Sequence, residues 1–209
     1  MKQLPEKFIQ EIFNERKHMA TKIMQAGNLD EVQNLLIKNS YLLSPIVATC
    51  GPAGPNAAPF MVSFVPRPEK LDTMIQQLRS MREQLWGKGG KAMSEALQWI
   101  VSHVYNLDNI DPHYLASHMM SRGHTWINIL STGKATLAFL IPPDRGAYEV
   151  RTTAWIEEKG PIYEYVNLLH DLMHAVPHGE SSHPWYPAVI FKIEEIYDNS
   201  YQQLGTRIY

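Results

Sequence analysis

The apolar positions of the chain fall into two rhythms. Leu4, Phe8, Ile9, Ile12, Phe13, Ala20, Ile23 and Met24 recur at the 3.6-residue period of a helix that buries one face. Gly27 ends this run, and Asn28 or Asp30 can cap a second short helix carrying Val32, Leu35 and Leu36. The rhythm then changes. Residues 45–50 are continuously apolar and rich in β-branched side chains, which predicts a buried strand. Gly51-Pro52-Ala53-Gly54-Pro55 supplies turn formers, and residues 56–65 read as the strand that returns. Pro59 has no N–H for a ladder, so this strand is expected to bulge or to lie at an edge there.

Beyond Pro66-Arg67-Pro68 the helical period resumes. Leu71, Met74, Ile75, Leu78 and Met81 mark one helix, Gly87 to Gly90 interrupt it, and Met93, Ala96, Leu97, Ile100 and Val104 mark another. Asp111 as cap and Pro112 at the first helical position predict a third, carrying Tyr114, Leu115, His118 and Met119 as far as Gly123. Residues 68–122 are thus expected to form a helical insertion. Strands are expected at 124–130, 134–141 and 147–157, although the first fits a short helix equally well. A helix over 160–176, a polar His-rich loop over 177–184 and a last strand over about 188–197 complete the pattern. No repeat or low-complexity tract interrupts it. The fold class expected is α+β, one domain, with N-terminal helices (1–40) packing on a body formed by 41–209.

Composition narrows the function. With 44% hydrophobic and 19% charged residues in 209, the chain has the makings of a core. Nineteen Lys and Arg against 21 Asp and Glu leave a formal charge of −2, without the basic excess of a nucleic-acid-binding protein. No apolar run approaches the ~18–20 residues of a membrane span. The N-terminal residues show no leader pattern, so a cytoplasmic location is expected. Cys50, the single cysteine, forms neither an intrachain disulfide nor a cysteine-rich zinc site, and its apolar neighbours predict an inert, buried thiol. There is no dinucleotide fingerprint, phosphate-binding P-loop, nucleophile elbow, Ser-His-Asp arrangement or carboxylate dyad. Gly51 to Gly54 precede a strand and offer no helix-terminus anion site.

Two stretches carry a likeness. Ile46-Val47-Ala48-Thr49-Cys50-Gly51-Pro52-Ala53-Gly54-Pro55-Asn56-Ala57-Ala58-Pro59 resembles the opening of FMN-binding split β-barrel proteins, the flavin reductase-like and pyridoxamine-phosphate-oxidase-like families. Ser121-Arg122-Gly123-His124-Thr125-Trp126-Ile127-Asn128-Ile129-Leu130-Ser131-Thr132-Gly133 is similar to the flavin reductase-like pattern of a His-Thr pair, an Asn-Ile turn and a Thr-Gly before an apolar strand. The resemblance implies an antiparallel split barrel decorated by the N-terminal helices and the insertion. It implies a homodimer with FMN between subunits and a flavin-dependent oxidoreductase passing electrons from NAD(P)H or another donor to a small acceptor. Asn56, Ala58, Pro59, Phe60, Met61 and Ser63 would border the flavin ring. Ser121, Arg122, His124 and Thr125 would meet the ribityl phosphate, for which a cation and several donors are needed, and Asn128 would also contact the cofactor. Phe60-Met61 and the long helical insertion depart from the family pattern.

Histidines offer a second chemistry. His170 and His174 are spaced i, i+4 on one predicted helix, followed by His178, Glu180 and His183. This spacing suits a metal, although His-Asp-Leu-Met-His lacks the glutamate of a metalloprotease helix. The alternatives to a flavin enzyme are therefore a non-enzymatic flavin- or haem-binding protein on the same barrel, and a His-based metal-binding protein.

Overall fold

The computed structural model describes residues 3–26, 28–85, 88, 90–141, 146–178 and 185–209, with side chains except at 29, 90–93 and 174–178. Gly27, Gly87, Gly89, Arg145, Glu180 and His183 lie outside the described residues. The chain opens with α1 (Glu6–Phe8), a π-helical stretch (Ile9–Asn14) and α2 (Glu15–Gln25), which follow one another without a break. Asn28 caps α3 (Leu29–Leu43), its side-chain oxygen accepting from the Glu31 N–H at 2.9 Å. Next come β1 (Ile46–Thr49), β2 (Asn56–Pro59) and β3 (Ser63–Pro66), then helices α4 (Pro68–Leu85) and α5 (Gly90–His103). The remainder is β4 (Ile110–His118), α6 (His124–Thr132), β5 (Lys134–Ile141), β6 (Gly146–Glu157), α7 (Pro161–His178), β7 (Ala188–Asp198) and the short β8 (Thr206–Arg207).

All the strand pairs are antiparallel, in the order β2-β1-β5-β6-β7-β4-β3, with β8 on β7. This order dictates a barrel. β2 and β3 stand at opposite ends of it, yet only residues 60–62 separate them. Four residue steps reach about 14 Å at most, whereas six strand spacings in a flat sheet amount to about 29 Å. The sheet therefore curls until its ends meet at the bend. Backbone bonds from Phe60 N–H to the Pro45 carbonyl (3.1 Å) and from Val62 N–H to the Leu43 carbonyl (2.9 Å) hold the bend to the chain entering β1. This is an α+β fold with a split antiparallel barrel. The returning strand of the hairpin is real, but it divides at the bend, and Pro59 ends the edge strand β2 where a missing N–H leaves no ladder rung empty.

Inside the barrel lie Val47, Leu137, Val150 and Phe191, each fully buried. The N-terminal helices close the interior: Phe8 meets Phe139 and Tyr148 edge to face, at 6.3 and 5.2 Å between centroids, and Phe13 meets Phe64 at 4.9 Å. α4 lies along α7, joined by ion pairs of Arg79 with Glu164 and of Arg82 with Asp171.

Two expectations are corrected, and the choice between strand and helix at 124–130 falls to helix. Residues 110–118 form a strand, not a helix, so the helices of the insertion end at His103. The Asp111 carboxylate accepts from the His113 N–H at 3.0 Å, forming a turn instead of a helix cap. Pro112 fits because the β3–β4 register jumps from Phe64↔Leu115 to Val65↔Asp111, which leaves 112–114 out of that ladder. Residues 124–132 form a helix, burying Thr125, Asn128 and Ile129 at helical spacing and ending on Gly133 at φ +63°. Cys50 lies just past the end of β1 and is exposed rather than buried.

Candidate functional site

Alternation along β1 turns Val47 and Thr49 inward and leaves Ile46 and Ala48 facing out. Register carries these outward positions across the sheet. One row reads Ala57–Ala48–Thr136–Arg151 and the next Pro59–Ile46–Ala138–Glu149. A solvated sheet face normally carries polar residues, yet this one presents alanines, Pro59 and Ile46, and Ile46 is 43% exposed. At the end of the face nearest the β1–β2 turn lies an open trough of about 920 Å³. Its small residues include Ala48 and Ala57, and its polar groups include Asn56, Thr136, Lys134 and Arg151.

The two cations differ. Arg151 is held by Glu149 at 2.7 Å and Glu195 at 3.4 Å and lies over the Tyr197 ring at 4.4 Å. The hydrogen bond to Glu149 keeps its guanidinium above the ordinary arginine value. The exposed Lys134 ammonium has no ion pair or hydrogen bond among the described residues. An anion entering the trough would meet Lys134 with its charge uncommitted.

The expected site residues separate into three groups. Asn56, Thr125 and Asn128 fasten the β1–β2 turn to α6. The Asn56 amide donates to Thr125 Oγ1 at 2.5 Å. The fully buried Asn128 donates from Nδ2 to the Gly54 carbonyl at 2.7 Å and to Thr49 Oγ1 at 3.2 Å, while its Oδ1 accepts from the Ala53 N–H at 3.0 Å. Gly51 is required beneath it, because a Cβ there would stand 2.8 Å from Asn128 Oδ1.

Ala58, Pro59, Phe60, Met61 and Ser121 meet in a second cleft of about 260 Å³, which also takes in Ser117, His118 and His170. Ser117 Oγ donates to the Met61 carbonyl at 2.7 Å, and the His118 and His170 rings are 4.3 Å apart. Ser63 lies one step further along β3, its hydroxyl 3.4 Å from the Ala116 carbonyl. His118 escaped the sequence reading because β4 reads as helix. The His174 side chain lies outside the described part, and among the described residues no group of three or more His, Cys, Asp or Glu is placed to hold a metal ion.

The third group faces solvent. Arg122 is exposed, ion-paired with Glu158 and stacked over Trp126 at 4.9 Å. His124 is exposed at the first position of α6. In the sequence Lys134 and Arg151 are surface charges that stand next in line behind Arg122 as phosphate anchors. The signal for them is register, since both lie on the outward face reached from β1.

Comparison with solved structures finds similar chains. HupZ from Group A Streptococcus aligns at 20% identity and TM-score 0.46, over 87% of this chain and 99% of that one. An FMN-binding protein from Syntrophomonas wolfei aligns at 11% and 0.39, over 90% and 92%. A pyridoxamine 5'-phosphate oxidase-related, FMN-binding protein from Nostoc punctiforme aligns at 8% and 0.42, over 86% and 87%. No family model matches the sequence. No curated protein matches it either. Among the described residues, no helix is long and apolar enough to cross a membrane.

Proposed function

We propose that this chain binds FMN on the outward face of β2-β1-β5-β6 and works as a flavin-dependent oxidoreductase on a small acceptor. The observation that carries this reading is the trough. A platform of small residues abuts an edge strand, and one end holds a cation with no partner among the described residues, hydroxyls and an amide. A phosphate calls for that donor set, and a flat ring calls for a flat, largely apolar floor. In this reading Lys134, Thr136 and Asn56 hold the phosphate end, with Arg151 adding positive potential. Ala57 and Pro59, which face outward beside Ala48 and Ile46, border the ring.

Flavin, when bound, supplies hydride and single-electron chemistry that amino-acid side chains lack. The residues of the chain bind it, orient it and limit its exposure to water. The site needs no protein nucleophile. Arg122, Ser121, His124 and Thr125 form the competing phosphate anchor implied by the sequence resemblance. Arg122 is less suited, since Glu158 and Trp126 already engage it.

The same apolar face is proposed to be covered by a second copy of the chain, giving a homodimer with the flavin near the interface. NAD(P)H is the proposed electron donor. Incubating the purified protein with FMN and passing it through gel filtration tests the reading: flavin absorbance should travel with the protein near one per chain. Complete loss of flavin at micromolar protein would contradict it.

A further inference from the structure

Arg16 occupies a place where a charge is expensive. It stands on the buried stripe of the first helices, in line with Ile12, Met19, Ala20 and Ile23, and its relative exposure is 0%. Nη1 donates to the Val62 carbonyl at 2.9 Å, at the barrel's closing bend. The guanidinium also lies over Phe64 at 5.3 Å and Phe139 at 6.0 Å. Nε and Nη2 are buried and donate to no group among the described residues, and no carboxylate there pairs with the charge. Burial lowers the guanidinium to about 10, so it stays charged at neutral pH. A buried ion without a counter-charge is among the costliest features a fold carries.

A cavity lies beside it. The space is about 110 Å³ and mostly apolar, with Ser63, Ser117, His118 and His170 also in its lining, and it shares Met61, Ser117, His118 and His170 with the second cleft. Its inner wall includes Met19 and Ala20, one helical turn beyond Arg16 on the same face, and the residues around the guanidinium: Val62, Phe64 and Tyr105. At the other side Leu36, Met61 and Met173 are 41%, 46% and 42% exposed and form a mouth. An apolar chamber open at one side, with a partly unpaired cation behind its inner wall, suits a molecule with an apolar body and one anionic end.

We infer that this chamber binds a small amphiphilic carboxylate, its apolar part in the cavity and its carboxylate on Arg16. Reaching Nε and Nη2 requires the Phe64 and Tyr105 side chains to give way at the inner wall. At about 110 Å³ the cavity is smaller than the roughly 150 Å³ that takes benzene, so it houses about four carbon atoms and leaves the tail end of a six-carbon chain at the open mouth. This site is separate from the proposed flavin trough and shares no lining residue with it.

Hexanoate, hexanamide, acetate and chloride are titrated into the protein by calorimetry, with the methionine methyls followed by NMR. Hexanoate should bind roughly 10- to 100-fold tighter than hexanamide, because charge-assisted hydrogen bonds separate the two. Acetate and chloride should bind at least about 10-fold more weakly than hexanoate for want of an apolar body. The Met19, Met61 and Met173 methyls should shift, while those of Met74 and Met81, which do not line the chamber, should stay. In Arg16→Met the gap between hexanoate and hexanamide should vanish. Should that variant fail to fold, the comparison on the wild-type protein decides alone. Equal affinity for acid and amide, acetate or chloride matching hexanoate, absence of binding, or shifts confined to Met119 and Met120 in the neighbouring cleft would each overturn the inference.

Discussion

Asn128 looks like a ligand in the sequence and is part of the frame in the structure. It has no exposed surface and spends its amide on Gly54, Thr49 and Ala53. Asn128→Ala leaves those groups without their partner and should cost about 2–4 kcal/mol, taking roughly 1 kcal/mol for each bond. Chemical denaturation measures this directly, and an unchanged midpoint would show that the turn is held by other means. Gly51→Ala should also destabilise the fold, because its Cβ would stand 2.8 Å from Asn128 Oδ1 and 3.2 Å from the Asn128 Cα. Lys134 shows the opposite case. It reads as an ordinary surface charge in the sequence, and only the pairing of β5 with β1 sets it beside Asn56 and Thr136.

At the scale of elements, the hairpin was legible because Gly51 to Pro55 carry turn chemistry and the flanking residues suit strands. β4 was not. Asp111-Pro112 mimics a cap and a first helical residue, and Tyr114, Leu115, His118 and Met119 have helical spacing. The decision is made by β3 and β7, distant in sequence, which pair with this segment from both sides. Tertiary pairing overrides local preference here. α6 was ambiguous for another reason, since its apolar residues satisfy both periods. What distinguishes it is its end, where Gly133 takes φ +63° and its N–H bonds the Ile129 carbonyl at 2.9 Å. Gly133→Ala should therefore cost about 1 kcal/mol, read as a lowered melting temperature. A variant as stable as the parent would show that this left-handed cap contributes little. The strip 56–63 divides between the trough and the second cleft, and register, not proximity in the chain, sets Lys134 and Arg151 beside the one and His118 beside the other.

At the scale of the whole molecule, the outward face of β1 and β5 combines Ile46 with Leu140, which is 65% exposed. A second copy would bury them. Ile46→Lys should convert a dimer of micromolar affinity into a monomer in sedimentation, and a wild-type protein that sediments as a monomer at that concentration would contradict the paired assembly. The N-terminal helices are tied to β7 by Lys7 and Asp198 at 2.8 Å. Burial alone would raise the Asp198 carboxyl, but hydrogen bonds from Lys7 and Ser200 hold it below the usual carboxylate range. A depressed folded value means that the pair stabilises above the unfolded value, about 3.9, and that this share is lost as pH falls through the folded one. Stability should therefore fall in that acid range in the parent and fall less steeply in Lys7→Ala. Parallel pH profiles would exclude the pair as a contributor.

Whether the trough holds the phosphate of FMN is measured directly by a crossed titration. FMN and riboflavin are titrated, by quenching of flavin fluorescence, into the parent protein, Lys134→Ala and Arg122→Ala. A charge-assisted hydrogen bond is worth about 1.5–3 kcal/mol, so Lys134→Ala should weaken FMN by roughly 10- to 150-fold. It should leave riboflavin, which has no phosphate, nearly unchanged, and Arg122→Ala should alter neither. A selective loss of FMN in Arg122→Ala with Lys134→Ala unaffected would place the phosphate at the start of α6, and failure of the parent protein to bind either flavin would contradict the account.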